Sequence, residues 1–85
     1  MMKFRAEVIV RLKHGVKDPQ GIAAENIIKR TDIDHNASVK AGKYYEVVIE
    51  SDSEIEAKEK LDKICNEILS NPVLEKYEVA RFEKQ

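Results

Sequence analysis

The chain reads as an α+β sandwich of element order β-α-β-β-α-β, an antiparallel sheet with two helices on one face. Three observations predict it. An apolar and polar alternation runs from Phe4 to Lys13, two segments of helical spacing open on capping signals at Asp18-Pro19 and Ser51 to Glu56, and β-branched and aromatic runs occupy Tyr44 to Glu50 and Glu75 to Phe82.

In the first strand Phe4, Ala6, Val8, Val10 and Leu12 share one parity, and Arg5, Glu7, Arg11 and Lys13 the other, with Ile9 an apolar intruder on the polar side. His14-Gly15 ends the strand. Asp18 then supplies an N-cap, and Pro19 occupies the first helical position, where a missing N–H costs nothing. Ile22, Ala23, Ile27 and Ile28 give this helix an apolar stripe through about Arg30. Thr31 to Asn36 are polar and aperiodic, which predicts a loop, followed by a short strand at Ala37 to Ala41 and a turn at Gly42-Lys43. In the next strand Tyr45, Val47 and Ile49 share one face, while Tyr44 and Val48 place apolar groups on the other.

Ser51 with Glu54 and Ser53 with Glu56 form overlapping capping boxes. Ala57, Leu61, Ile64, Cys65, Ile68 and Leu69 recur at helical spacing behind them, with Glu54/Lys58, Glu56/Lys60 and Glu59/Lys63 paired on the wet side. Asn71-Pro72 stops the helix, because the residue before a proline is biased out of the helical region. In the last strand Tyr77 and Val79 lie on one parity and Ala80 and Phe82 on the other, which predicts a strand apolar on both faces or a β-bulge. This element order is that of a ferredoxin-like sandwich.

A length of 85 residues allows a single domain over 1–85. Size scaling gives a folded surface of ~5,200 Å² against ~14,200 Å² unfolded, hence a thin core. Fifteen basic and sixteen acidic residues leave a net charge of −1, which supplies no global attraction to nucleic acid or to an anionic membrane. No apolar run reaches membrane-spanning length and the N-terminus lacks a signal-peptide core, so the sequence predicts a cytoplasmic chain. Cys65 has no companion for a disulfide or a zinc site, and on the apolar side of its helix it reads as a small buried hydrophobe. His14 and His35 stand in loops without ligand spacing. No nucleophile-base pair or carboxylate pair is evident, so neither a catalytic, a cofactor nor a metal site is predicted. The stretch from Lys13 to Gly21 matches no phosphate-binding fingerprint. Gly42-Lys43-Tyr44-Tyr45 fails as an RNA-binding face, since Glu46 and Glu50 share the parity of Tyr44. Ile9, Tyr44, Val48 and, from the last strand, Phe82 are instead candidate interface residues of a sheet-mediated oligomer, because a monomeric antiparallel sheet should turn a polar face to water.

Three segments carry a family resemblance: Leu12-Lys13-His14-Gly15-Val16 with Asp18-Pro19-Gln20-Gly21, Gly42-Lys43-Tyr44, and Leu69-Ser70-Asn71-Pro72-Val73-Leu74-Glu75-Lys76-Tyr77. In combination and spacing they resemble PurS, the small subunit of phosphoribosylformylglycinamidine (FGAM) synthase. The middle departs from that family, whose members often end the first helix in a Leu-Gly-Phe-like run where this chain has Lys29 to Asn36, and Lys40 stands for an Arg often found before the central Gly-Lys.

The resemblance implies a non-catalytic scaffold in a glutamine-dependent C–N ligase complex of de novo purine biosynthesis. That complex converts formylglycinamide ribonucleotide, glutamine and ATP to formylglycinamidine ribonucleotide, glutamate, ADP and phosphate. The small subunit would bridge the large synthetase subunit (PurL) and the glutaminase subunit (PurQ) and aid ammonia transfer, as a homodimer or tetramer, with ATP and Mg held by the large partner. Exposed polar residues on rigid loop ends can fix the orientation of a partner, so these three segments are expected to make the partner contacts, with Lys13, Gly15, Asp18, Pro19, Gln20, Lys43, Asn71, Pro72, Glu75 and Tyr77 as candidates. An ACT-like small-molecule regulatory module of the same element order is the alternative, and it would need a ligand pocket at a strand-to-helix loop.

Overall fold

Alternation in the first strand governs the architecture. Phe4, Ala6, Val8 and Val10 are all buried, and each intervening residue is more exposed than its neighbours. The structure is a computed structural model that describes residues Met1–Gln85. Its strands are β1 (Met2–Leu12), β2 (Gly42–Ser51) and β3 (Glu75–Lys84), and its helices are α1 (Pro19–Lys29) and α2 (Glu54–Ile64). The sheet has the order β2-β1-β3, with β1 antiparallel to both neighbours. Thus an antiparallel sheet with two helices stands as the sequence predicts, with particular elements placed differently.

The segment 37–41 is not a strand, and Gly42-Lys43 is not a turn. β2 already begins at Gly42, in register with Arg11, and both edges of β1 are taken by β2 and β3. Gly42 belongs in the ladder because a Cβ there would stand 2.8 Å from the Val10 carbonyl oxygen. The chain before it is held instead by Asp18, whose Oδ2 accepts from the Ala41 N–H at 2.8 Å.

The last strand carries the bulge. Glu7 pairs with Arg81 but Val8 pairs with Val79, so Ala80 is the extra residue. One inserted residue reverses the parity beyond it, and Tyr77, Val79 and Phe82 all come to the helix-covered face. Phe82 therefore stacks on Phe4 at 5.4 Å with Lys58 above its ring, and is not on the open face where the sequence reading placed it as an interface residue.

α2 covers that face. Ala57, Leu61 and Cys65 join Phe4, Ala6, Val8, Val10 and Ile49 in one buried cluster. Its cap is Ser53, whose Oγ accepts from the Glu56 N–H at 3.1 Å. The last turn, Cys65–Leu69, is π-helical, closed by the Ser70 N–H and Oγ, both donating to the Cys65 carbonyl. The wider turn rotates the following residues about the axis. Leu69 packs against the core as a result, while Ile68, which the helical period puts on the stripe, is 73% exposed.

α1 is the larger departure. It does not lie down on the sheet beside α2: none of its residues belongs to the core cluster, its only buried residue is Gly21, and Ile22 and Ile27 are exposed. The molecule is accordingly long and flat, 53 × 27 × 13 Å. Its radius of gyration is 16.7 Å, against about 12 Å for a compact chain of this length.

Two predictions come from this packing. Leu61→Ala should destabilise the chain by about 2–4 kcal/mol, and Ile68→Ala by less than about 0.5 kcal/mol, in denaturant titrations at one fixed concentration. Equal costs would contradict the rotated last turn. Asp18 is held below its usual carboxylate range first by the Ala41 N–H, then by the Gly21 N–H, with Lys40 adding to both. A lowered folded pKa contributes stability that is complete above the unfolded value and is lost as pH falls through the folded one. Asp18→Asn should therefore flatten the fall of Tm with acidification below about pH 4. An unchanged slope would contradict the role given to the clamp.

Candidate partner-docking site

The three motif-bearing loop segments quoted above meet at one end of the sheet. β1 finishes there, β2 and β3 start there, and α1 begins there. Past Leu12 the strand leaves the ladder with its last bond from the Lys13 N–H to the Leu74 carbonyl, at 2.8 Å. The side chain of Lys13 donates to the Pro72 carbonyl, tying the first loop to the segment before β3. The Val16 N–H returns to the Lys13 carbonyl at 3.1 Å, a turn that passes through Gly15 at φ +87°, a conformation that favours glycine.

Asp18 caps α1 through the Gly21 N–H at 3.0 Å and holds Ala41 with its second oxygen. Asn71 organises the opposite wall. Its Oδ1 accepts from Val73, its carbonyl accepts from Leu74 and Glu75, and its N–H donates to the Glu75 carboxylate at 2.7 Å. The other Glu75 oxygen lies 3.7 Å from the Lys43 ammonium.

These pieces frame a cleft of about 850 Å³. Lys13, Gly15, Asp18 and Lys43 line it directly, while Pro72 and Glu75 reach it through Lys13 and Lys43. Pro19 and Gln20 follow Asp18 as the exposed first residues of α1. Tyr77 faces the helix-covered side, opposite Val10, with its hydroxyl 3.5 Å from Asp62, and burial raises its pKa. It packs the core and does not line the cleft. Arg11 and Lys76 do line it, and sequence reasoning passed over both. The signal that would have found them is the β1–β3 register, which sets these two cations directly opposite one another.

Of the interface candidates, Ile9 and Tyr44 face each other across β1 and β2 and also line the cleft. Val48 lies further along the same face, 57% exposed. The remainder of that open face is charged. Arg5 reaches Glu7 at 2.7 Å, Glu46 at 3.0 Å and Glu83 at 3.9 Å, and the first two, the Glu7 hydrogen bond foremost, raise its pKa. Burial, then the carboxylates of Glu7 and Glu46, raises that of Tyr44. No three His, Cys, Asp or Glu side chains are grouped to hold a metal ion, and burial pushes the Cys65 thiol up, which opposes thiolate chemistry. The arrangement offers shape and charge to a macromolecule and presents no nucleophile-base pair.

Comparison with known proteins places this geometry. The family profile described as PurS, Phosphoribosylformylglycinamidine (FGAM) synthase, matches residues 5–83. The phosphoribosylformylglycinamidine synthase subunit PurS of Bacillus subtilis is 35% identical over 75 residues, covering 87% of each chain. That of Methanocaldococcus jannaschii is 29% identical over 76 residues, 89% of this chain and 92% of that one. The solved PurS of Thermus thermophilus superposes with a TM-score of 0.79 at 32% identity over 95% of both chains. A chain in the structure of PurLQS from Thermotoga maritima superposes with 0.82 at 27% identity over the whole of both. With the motifs of its loops, its sheet order and nearly its whole length matched, the chain belongs to the PurS family.

Proposed function

We propose that the chain is the small structural subunit of FGAM synthase, a glutamine-dependent ligase of purine biosynthesis, working in a complex with PurL and PurQ. The observation that carries this is the end-to-end superposition on a chain of the PurLQS structure, with no segment of either left over. The cleft end supports a docking role, since its loops are pinned by internal hydrogen bonds and can receive a partner at little ordering cost.

In this reading the whole of 1–85 acts as one domain in the cytoplasm and bridges the synthetase and glutaminase subunits so that ammonia passes between them without loss to water. ATP and Mg belong to the large subunit. Lys13, Gly15, Asp18, Pro19, Gln20, Lys43, Asn71, Pro72 and Glu75 serve the partner contacts, and Tyr77 supports them from the core. No helix of the chain is long and apolar enough to cross a membrane. None of the proteins compared above is an ACT-like module, although the cleft does lie at a strand-to-helix loop.

Self-association belongs to the same reading. The exposed surface is 6284 Å², roughly 1,100 Å² above the scaling expectation for a folded chain of this mass. That excess exceeds the ~800 Å² per partner of a standard interface. Ile22 and Ile27 of α1 add to Ile9, Tyr44 and Val48 of the open sheet face as the apolar groups available for it.

Reconstitution tests the scaffold role. With purified PurL, PurQ and this chain, glutamine-dependent FGAM synthesis should fall to background when the chain is omitted, while synthesis from added ammonium persists. Equal glutamine-dependent rates with and without the chain would overturn the reading.

A further inference from the structure

Charge decides what can dock at the cleft. Arg11, Lys13, Lys40, Lys43 and Lys76 all line it, five of the fifteen basic residues in a chain whose net charge is −1. The one carboxylate in the lining, Asp18, is occupied by two backbone N–H groups. Glu75 and Glu78 stand beside Lys43 and Arg11, at 3.7 and 3.8 Å, and offset part of this charge, but Lys40 and Lys76 have no carboxylate within ion-pair distance.

The register sharpens the point. Like charges directly opposite on neighbouring strands are destabilising, and the open face holds two such pairs, Glu7 with Glu46 and Arg11 with Lys76. The acidic pair is bridged within the chain, because Arg5 bonds both carboxylates. The basic pair has only Glu78, on the Arg11 side. Lys76, exposed and outside every ion pair of the chain, is free to meet a carboxylate from outside.

A single phosphoryl group is a poor fit. At the start of α1 the Gly21 and Ile22 amides are already bonded and Pro19 has none, which leaves the first helical turn only the Gln20 N–H to offer such a group. The cations sit instead on all three strands and on the segments flanking α1, beside the apolar surfaces of Ile9 and Tyr44. Spread charges with apolar surface between them suit a peptide carrying several carboxylates. Resting on the scaffold reading, we propose that this cleft seats an acidic segment of a partner subunit, its carboxylates set against Arg11, Lys40, Lys43 and Lys76.

Titration of the chain into PurL and PurQ, followed by sedimentation, tests this. The double charge reversal Lys40→Glu/Lys76→Glu should weaken assembly at least ~10-fold, whereas Lys84→Glu at the far end of β3 should leave it within about 2-fold. The free double variant should remain folded at the assay temperature by circular dichroism, because Asp18 keeps both of its backbone N–H bonds and Lys76→Glu removes a like-charge pair. Raising salt from ~50 to ~300 mM should weaken assembly of the unsubstituted chain more steeply than that of the double variant. Hexaglutamate should displace the chain, and inorganic phosphate at matched ionic strength should not.

Equal affinity and equal salt dependence of the double variant would overturn the proposal, as would phosphate displacing as well as hexaglutamate. If the unsubstituted chain fails to assemble at any salt concentration, the scaffold reading itself fails and the docking proposal with it. That result is distinct from a variant that assembles normally.

Discussion

Everything in this chain depends on β1 being hydrogen-bonded along both edges. A strand flanked by β2 and β3 cannot slip without moving its whole apolar set to the wrong face, so Phe4, Ala6, Val8 and Val10 fix the register of the sheet. The same double pairing fills both edges of β1, and α2 covers one face. The buried cluster is eight residues. A core of that size is small for 85 residues, and the chain leaves α1 standing off from it with Ile22 and Ile27 uncovered. The fold behaves as part of a larger packed object: an isolated monomer would expose apolar area that gains free energy on association.

The two ends of the open sheet face then play different parts. Around Arg5 the charges are bridged within the chain, with three carboxylates within 4 Å of one guanidinium. Around Arg11 and Lys76 only the Arg11 side is bridged. The asymmetry lies at the end where the Asp18 clamp, the Lys13 bond to Pro72 and the Asn71 turn hold three loops in place. A rigid scaffold with an uncompensated charge is suited to fixing the orientation of a partner.

Much of this was legible in the sequence. Alternation over Phe4 to Leu12, the Ser53–Glu56 capping box and the Asp18-Pro19 helix start are local signals, and each element they predict is present. The failures share one physical origin, pairing between distant segments. Ala37 to Ala41 has strand character, but both edges of β1 are already taken by β2 and β3, and Gly42-Lys43 looks like a turn but lies within the ladder opposite Arg11 and Val10. Phe82 lies on the face opposite to the one its parity predicts because the position of a bulge depends on the partner strand, here at the step from Glu7 to Val8. Ile68 left the stripe because a π turn breaks the helical period. Half of the docking end was readable as loop motifs, but the opposed cations Arg11 and Lys76, 65 positions apart, meet only through register.

The central claim is that this fold is completed by association. Thermal unfolding followed over a ~100-fold range of chain concentration tests it most directly, because the stability of an obligate oligomer is inseparable from protomer concentration. The account predicts a midpoint that rises steadily with concentration and a sedimentation mass above that of one chain throughout the folded range. A midpoint independent of concentration, with a monomer mass at every point, would contradict it.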